Sequence, residues 1–172
     1  GGAPYALAGA AQLRRRVISV AVVGALAPPD RAAFAAMPSL QRIGLGLARR
    51  LPYGARLFFG LVSWAIRRQP ARVLAYIVSA VNAKDRTVLS RTREREALLV
   101  SFCESVREGG RGCAHELALF VRPWGFAFQT IEADVQLWHG EQDAIVPVAM
   151  GRALARALPR CRTHFLPEEG HY

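Results

Sequence analysis

"LWHGEQDAIVP", Leu137 to Pro147, is the stretch on which the fold turns. Its first half completes a strand, Ala133 to Gly140, and its second half is a loop carrying an acid, Asp143. "VPVAMGRALARALP" follows as a helix with Pro147 near its start, where a missing N–H costs nothing. "RTHFLP" then gives another short strand before the closing "EEGHY". Strand, helix and strand joined by tight loops is an α/β pattern.

Working outward, "RVISVAVVGALAPPD", Arg16 to Asp30, is a β-branched run ended by Pro28-Pro29. The run predicts a strand buried on both faces, as inside a parallel sheet. Gly1 to Leu13 before it reads as a helix of small residues, with Tyr5 and Leu7 as its bulk. Two glycines at the mouth of a helix suit a tight backbone turn made with something upstream. From Asp30 to about Gly112 hydrophobic residues recur at helical spacing, as in Leu98, Leu99, Phe102 and Val106. Pro38, Pro52 and Pro70 divide this region into short helices, and Gly109-Gly110 ends the last of them. The expected organisation is therefore an α/β core at 1–27, a helical insertion at 28–112 and a returning α/β core at 113–172.

Composition bounds the function. The chain has 172 residues, 52% hydrophobic and 21% charged, enough for one domain with a substantial core. Its net charge is +10, yet Lys84 is the only lysine among 23 basic residues. The arginines are scattered in ones and twos apart from Arg14-Arg15-Arg16, without the aromatic interleaving of a nucleic-acid module, so no nucleic-acid partner is expected. Arg49-Arg50 and Arg67-Arg68 read as solvated helix faces, with attraction to anionic lipid as the weaker alternative. Val17 to Ala27 and Leu57 to Ile66 are too short to span a bilayer, so no stable membrane insertion is expected. Cys103, Cys113 and Cys161 match no zinc spacing and read as free thiols in a reducing cytoplasm.

In α/β sheets the chemistry gathers beyond the carboxyl ends of strands. Asp143 follows one strand and His171 the next, so the two are placed to meet at one edge. There the acid accepts from one imidazole nitrogen and leaves the other as a base. Taken alone, Asp143 reads equally well as a loop organiser or helix cap, and His171 as a surface residue near a terminus. A metal site from His139, Glu141, Asp143 and His171 is the minor alternative, and no cofactor is expected.

These stretches together resemble the C-terminal part of the α/β-hydrolase family. "LWHGEQDAIVP" is similar to the family's H-G-x-x-D-x-x-V-P acid loop, and "EEGHY" to its G-H-[FY] histidine. "GGAPYALAGAA" resembles the segment just after the nucleophile in the family's strained strand-to-helix elbow. The central stretch from Asp85 to Phe126 resembles the helical cap and return segment of a bacterial branch. The resemblance implies an α/β fold with about three parallel strands of the family sheet, flanking helices and an inserted helical cap. It also implies a serine hydrolase acting on an ester or similar small acyl compound, with Asp143 and His171 catalytic and the Gly1 N–H in the oxyanion hole. The expected nucleophile is a serine immediately before Gly1, because no internal serine stands in a G-x-S-x-G setting. The chain is accordingly expected to be a fragment, silent alone, with an unpaired edge and bare apolar faces on the Val17 to Val23 strand that make it prone to self-association. Phe58, Phe59 and Trp64 are candidates to line an apolar acyl pocket, with packing within the helical region as the alternative. An aspartate nucleophile would make it an epoxide hydrolase or dehalogenase instead, and a degenerate, non-catalytic binding protein is the reading from another class.

Overall fold

A computed structural model describes residues 2–28 and 31–172. In chain order the elements are α1 (Ala3–Gln12), β1 (Ser19–Val23), α2 (Arg31–Ala36), α3 (Ser39–Arg50), α4 (Pro52–Arg68), α5 (Pro70–Ala80) and α6 (Ala83–Ser90). They continue with α7 (Thr92–Ser105), α8 (Arg111–Phe120), a 3-10 turn at Phe128–Thr130, β2 (Asp134–Gly140), α9 (Val148–Ala157) and β3 (Cys161–Leu166). They divide into two compact units, residues 1–37 with 123–171 and residues 38–122 with Tyr172.

The first unit is α/β. Its three strands are all parallel in the order β1-β2-β3, with Val20 opposite Val135 and Val135 opposite Cys161. Alternation along β2 buries Val135, Leu137 and His139 on one face, which α9 covers with Met150 and Leu154. α1 packs on β1 through Leu7 and Ala10, both fully buried. Parallel strands need crossovers that cover their faces, and α9 is the crossover between β2 and β3. β1 is covered on one face and bare on the other, as expected of a strand from part of a family sheet. Val20 and Val22 are buried, but Val23 is 74% exposed and Ile18, just before the strand, 82%. Among the described residues β1 lies at the sheet edge, and no element covers its second face.

The second unit is helical. Each proline sets a helix start as its fixed φ dictates: Pro38 caps α3, and Pro52 and Pro70 open α4 and α5. Asn82 caps α6, its side chain accepting from the Asp85 N–H at 2.8 Å. Asp85 is fully buried, and its carboxylate accepts from the Tyr172 N–H at 3.0 Å. Leu45, Ala48, Ala55, Leu74 and Val106 form the core. The unit boundaries differ from the 28 and 112 expected from sequence. α2 packs on α9 and belongs with the sheet, whereas α8 packs on α3 and α4 and belongs with the helices. Nothing in the local sequence marks either allegiance, because tertiary packing decides both.

Gly110, at the α8 N-cap, allows α8 its close approach to α4. A Cβ there would stand 2.2 Å from the Phe59 carbonyl carbon and 2.3 Å from its oxygen, with backbone that cannot yield. Gly110→Ala is therefore expected to destabilise the helical unit by about 2 kcal/mol, the range for overpacking a closed contact. Urea denaturation followed by far-UV circular dichroism checks this, and an unchanged midpoint would refute the contact.

Candidate active site

Asp143 sits in the turn between β2 and α9. Its own N–H reaches the Gly140 carbonyl at 3.3 Å, and its Oδ1 accepts from the Ile145 and Val146 N–H groups at 2.8 and 2.7 Å. The side chain is wholly buried. An aspartate before a proline-capped helix commonly satisfies local amides in this way, so one oxygen is a turn organiser. The other oxygen has different work. Oδ2 lies 2.8 Å from Nδ1 of His171, whose side chain is 23% exposed.

His171 arrives on the segment after β3. The Glu141 N–H donates to Leu166 O at 2.9 Å and the Gln142 N–H to Glu169 O at 3.0 Å, which ties this segment to the Asp143 turn. Gly140 makes the approach possible. A Cβ there would lie 2.3 Å from Gly170 O and 2.4 Å from Glu169 O. A carboxylate can only accept, so Nδ1 carries the proton and Nε2 is the basic nitrogen. The ring is thus held in the tautomer that a general base requires.

Gly24 is the residue that sequence reasoning missed. It follows β1 directly, has φ +53°, and donates its N–H to Trp138 O at 3.0 Å. A Cβ there would meet His171 Cε1 at 3.2 Å, Nδ1 at 3.3 Å and Asp143 Oδ2 at 3.7 Å. The available signal was a lone glycine ending a β-branched run, which marks a backbone bend or a close approach.

The neighbouring groups fall into other roles. His139 is buried, with Nε2 donating to Val146 O at 2.9 Å and standing 3.6 Å from Asp143 Oδ2. Its Nδ1 is buried without a hydrogen-bond partner among the described residues and lies against Gly151, where a Cβ would come within 2.5 Å. Glu141 is ion-paired with Arg152 instead of turning to the histidines. Among the described residues no group of three or more His, Cys, Asp or Glu is arranged to hold a metal ion. All three cysteines are free thiols. Burial pushes Cys113 upward from the ordinary thiol range, helped by Glu116 and opposed by a backbone hydrogen bond, and burial alone raises Cys161. Both are therefore thiols near neutrality, the poor form for a nucleophile. His164 stacks on Trp138 across the β2–β3 pair at 3.8 Å, a packing role.

Of the remaining sequence candidates, Gly1 lies outside the described residues, as does Pro29. Phe58 and Phe59 meet edge-to-face at 5.1 Å, and both lie against Gly44 of α3. Trp64 is 57% exposed and stands apart from that pair, in a groove with Leu61 and Tyr76. Among the described residues, the groove that Trp64 lines does not include Phe58 or Phe59.

A parallel α/β unit with an acid after one strand and a histidine after the next is the arrangement of a hydrolase-type fold. Solved structures agree. The structure of Rv0554 from Mycobacterium tuberculosis matches 98% of this chain and 55% of its own, with a TM-score of 0.60 and 19% identity. A thermophilic esterase from Thermogutta terrifontis matches 99% of this chain and 54% of its own, at TM-score 0.53 and 16% identity. MGS-M2, an alpha/beta hydrolase enzyme from a Medee basin deep-sea metagenome library, matches 99% and 55%, at TM-score 0.51 and 14% identity. No family model and no curated protein matches the sequence. The fold is the α/β-hydrolase fold, and the chain spans about half the length of the structures it matches.

Gly24→Ala combines a left-handed backbone with a crowded Cβ. It is expected to cost about 1–2 kcal/mol and to displace the His171 ring from Asp143. Denaturation and a crystal structure of the variant check this, and an undisturbed 2.8 Å contact with full stability would refute it.

Proposed function

We propose that the whole protein is a serine hydrolase of the α/β-hydrolase type, acting in the cytoplasm on an ester or similar small apolar acyl compound. One observation carries this reading: a buried carboxylate, fixed by two backbone amides, holds Nδ1 of a partly exposed histidine at 2.8 Å. A carboxylate serving only its turn has no need of the second contact. The esterase and alpha/beta hydrolase among the matching structures support the reaction class.

In this mechanism a serine preceding Gly1 in the whole polypeptide attacks the acyl carbonyl carbon. Its proton passes to Nε2 of His171, and Asp143 stabilises the imidazolium that forms. The oxyanion is met by the Gly1 N–H and a second donor from elsewhere in the whole protein. Collapse breaks the bond to the alcohol, which leaves with the proton from His171. Water then attacks the acyl-serine, giving its proton to His171; collapse breaks the serine ester bond, the serine oxygen takes that proton back from His171, and the acid leaves. In this reading the helical unit serves as the cap, and residues 1–172 alone give no turnover.

The test separates the turn from the chemistry. Asp143→Asn retains Oδ1 as acceptor for Ile145 and Val146 but sets an NH2 against Nδ1, which forces the wrong tautomer. Asp143→Ala removes both functions. In the whole gene product, a fluorophosphonate probe followed by intact mass is expected to add once. Asp143→Asn is expected to slow labelling and ester turnover about 10³–10⁴-fold while stability stays within about 1 kcal/mol. Asp143→Ala is expected to lose about 2–4 kcal/mol as well, because buried amides are left unpaired. Full activity in Asp143→Asn, or no adduct on the original protein, would reject the proposal.

A further inference from the structure

α4 has two apolar faces, and only one of them is used. Ala55, Ser63 and Ile66 turn into the helical unit and are buried. On the opposite side Tyr53, Leu57, Leu61 and Trp64 succeed one another at intervals of four, four and three residues, and they are 83%, 69%, 61% and 57% exposed. The stripe runs into a shallow groove of about 470 Å³ shared with Leu40 of α3 and Tyr76 of α5. Exposed apolar area of this continuity marks an interaction surface.

The charge on the elements that carry it, α3 to α5, is of one sign. From Ser39 to Ala80 the chain carries seven arginines and neither aspartate nor glutamate. Arg68 and Arg72 line the groove itself, Arg67 sits beside them, and all three are exposed. Among the described residues Arg72 donates to Gln69, a neutral side chain, at 2.7 Å.

We propose that the outer face of α4, with the adjoining ends of α3 and α5, docks on an anionic lipid bilayer. Leu57, Leu61 and Trp64 enter the acyl boundary, while Arg67, Arg68 and Arg72 meet the phosphate level. Aromatic and leucine side chains on one face with arginine at its border is the composition of an interfacial helix. The competing occupants fit less well. A second copy paired on the same face would bring together two surfaces of the same sign, each from a stretch with seven arginines and no acid. A nucleic acid would satisfy the charge and leave the leucines without partners. Docking at this depth agrees with the absence, among the described residues, of any helix long and apolar enough to cross a membrane.

The experiment is co-sedimentation with vesicles of phosphatidylcholine alone and of equal phosphatidylcholine and phosphatidylglycerol, at low and physiological salt. Binding to the anionic vesicles is expected, weakened by salt, with little binding to the neutral ones. The triple change Arg67→Gln, Arg68→Gln, Arg72→Gln is expected to lower partitioning about fivefold per charge. Leu61→Ser with Trp64→Ser is expected to lower it about tenfold per side chain. All five side chains are exposed, so circular dichroism should report unchanged helicity in both variants. Equal binding to both vesicle types, or unchanged binding by either variant, would overturn the proposal. So would binding to single-stranded RNA but not vesicles, or a dimer abolished by the Leu61/Trp64 change without vesicle binding.

Discussion

The buried carboxylate of Asp143 is the constraint to which its surroundings answer. A carboxylate removed from water costs several kcal/mol unless its lone pairs are met. Here Oδ1 takes two amides of its own turn and Oδ2 takes the His171 N–H. The first pair shapes the entry to α9, and through α9 the face of β2 that Met150 and Leu154 cover. The second contact requires the segment after β3 to return across the end of β2. That return is possible only because Gly140 offers no Cβ to Glu169 and Gly170. Gly24 clears the space on the other side. Two glycines and a turn are thus consequences of one ionic group.

Much of this was legible in the sequence, and the limits have physical causes. The strand, acid loop and proline-capped helix at 134–157 follow from local chemistry, since each boundary is set by a residue acting on its own backbone. The convergence of Asp143 and His171 follows from parallel topology, because equivalent ends of neighbouring strands lie side by side. Gly24 was not legible as part of the site. Its role depends on β1 lying beside β2, a contact between residues more than a hundred positions apart. The half-exposure of β1 has a related reason: a β-branched run records the propensity to be covered, not whether a neighbour covers it. Val23 shows the difference.

The helical unit divides along the same line. Prolines announced the starts of α3, α4 and α5, since their geometry is intrinsic. The assignment of α2 and α8 to different units was hidden, since both are ordinary short helices whose partners are remote in sequence. "LPYGARLFFGLVSWAI" is apolar around most of its circumference, so periodicity cannot tell the inward face from the outward one. Packing resolves it: small Ala55 and Ser63 turn inward, where α3 and α8 come close, and the bulky Tyr53, Leu57 and Trp64 are left outside. Four large apolar side chains exposed along one side of α4 cannot be explained by the unit's own core.

Two imidazoles approach the same oxygen of Asp143, and the structure chooses between them. Nδ1 of His171 stands at 2.8 Å and Nε2 of His139 at 3.6 Å, beyond hydrogen-bond reach. The Nε2 proton of His139 is committed to the Val146 carbonyl at 2.9 Å. Val146 in turn gives its own N–H to Asp143 Oδ1 at 2.7 Å. One residue therefore anchors the carboxylate with its amide and holds off the competing imidazole with its carbonyl. With His139 so occupied and pressed against Gly151, Oδ2 has a single close histidine. The Val146 backbone thus leaves Asp143 Oδ2 to His171, whose tautomer that carboxylate fixes.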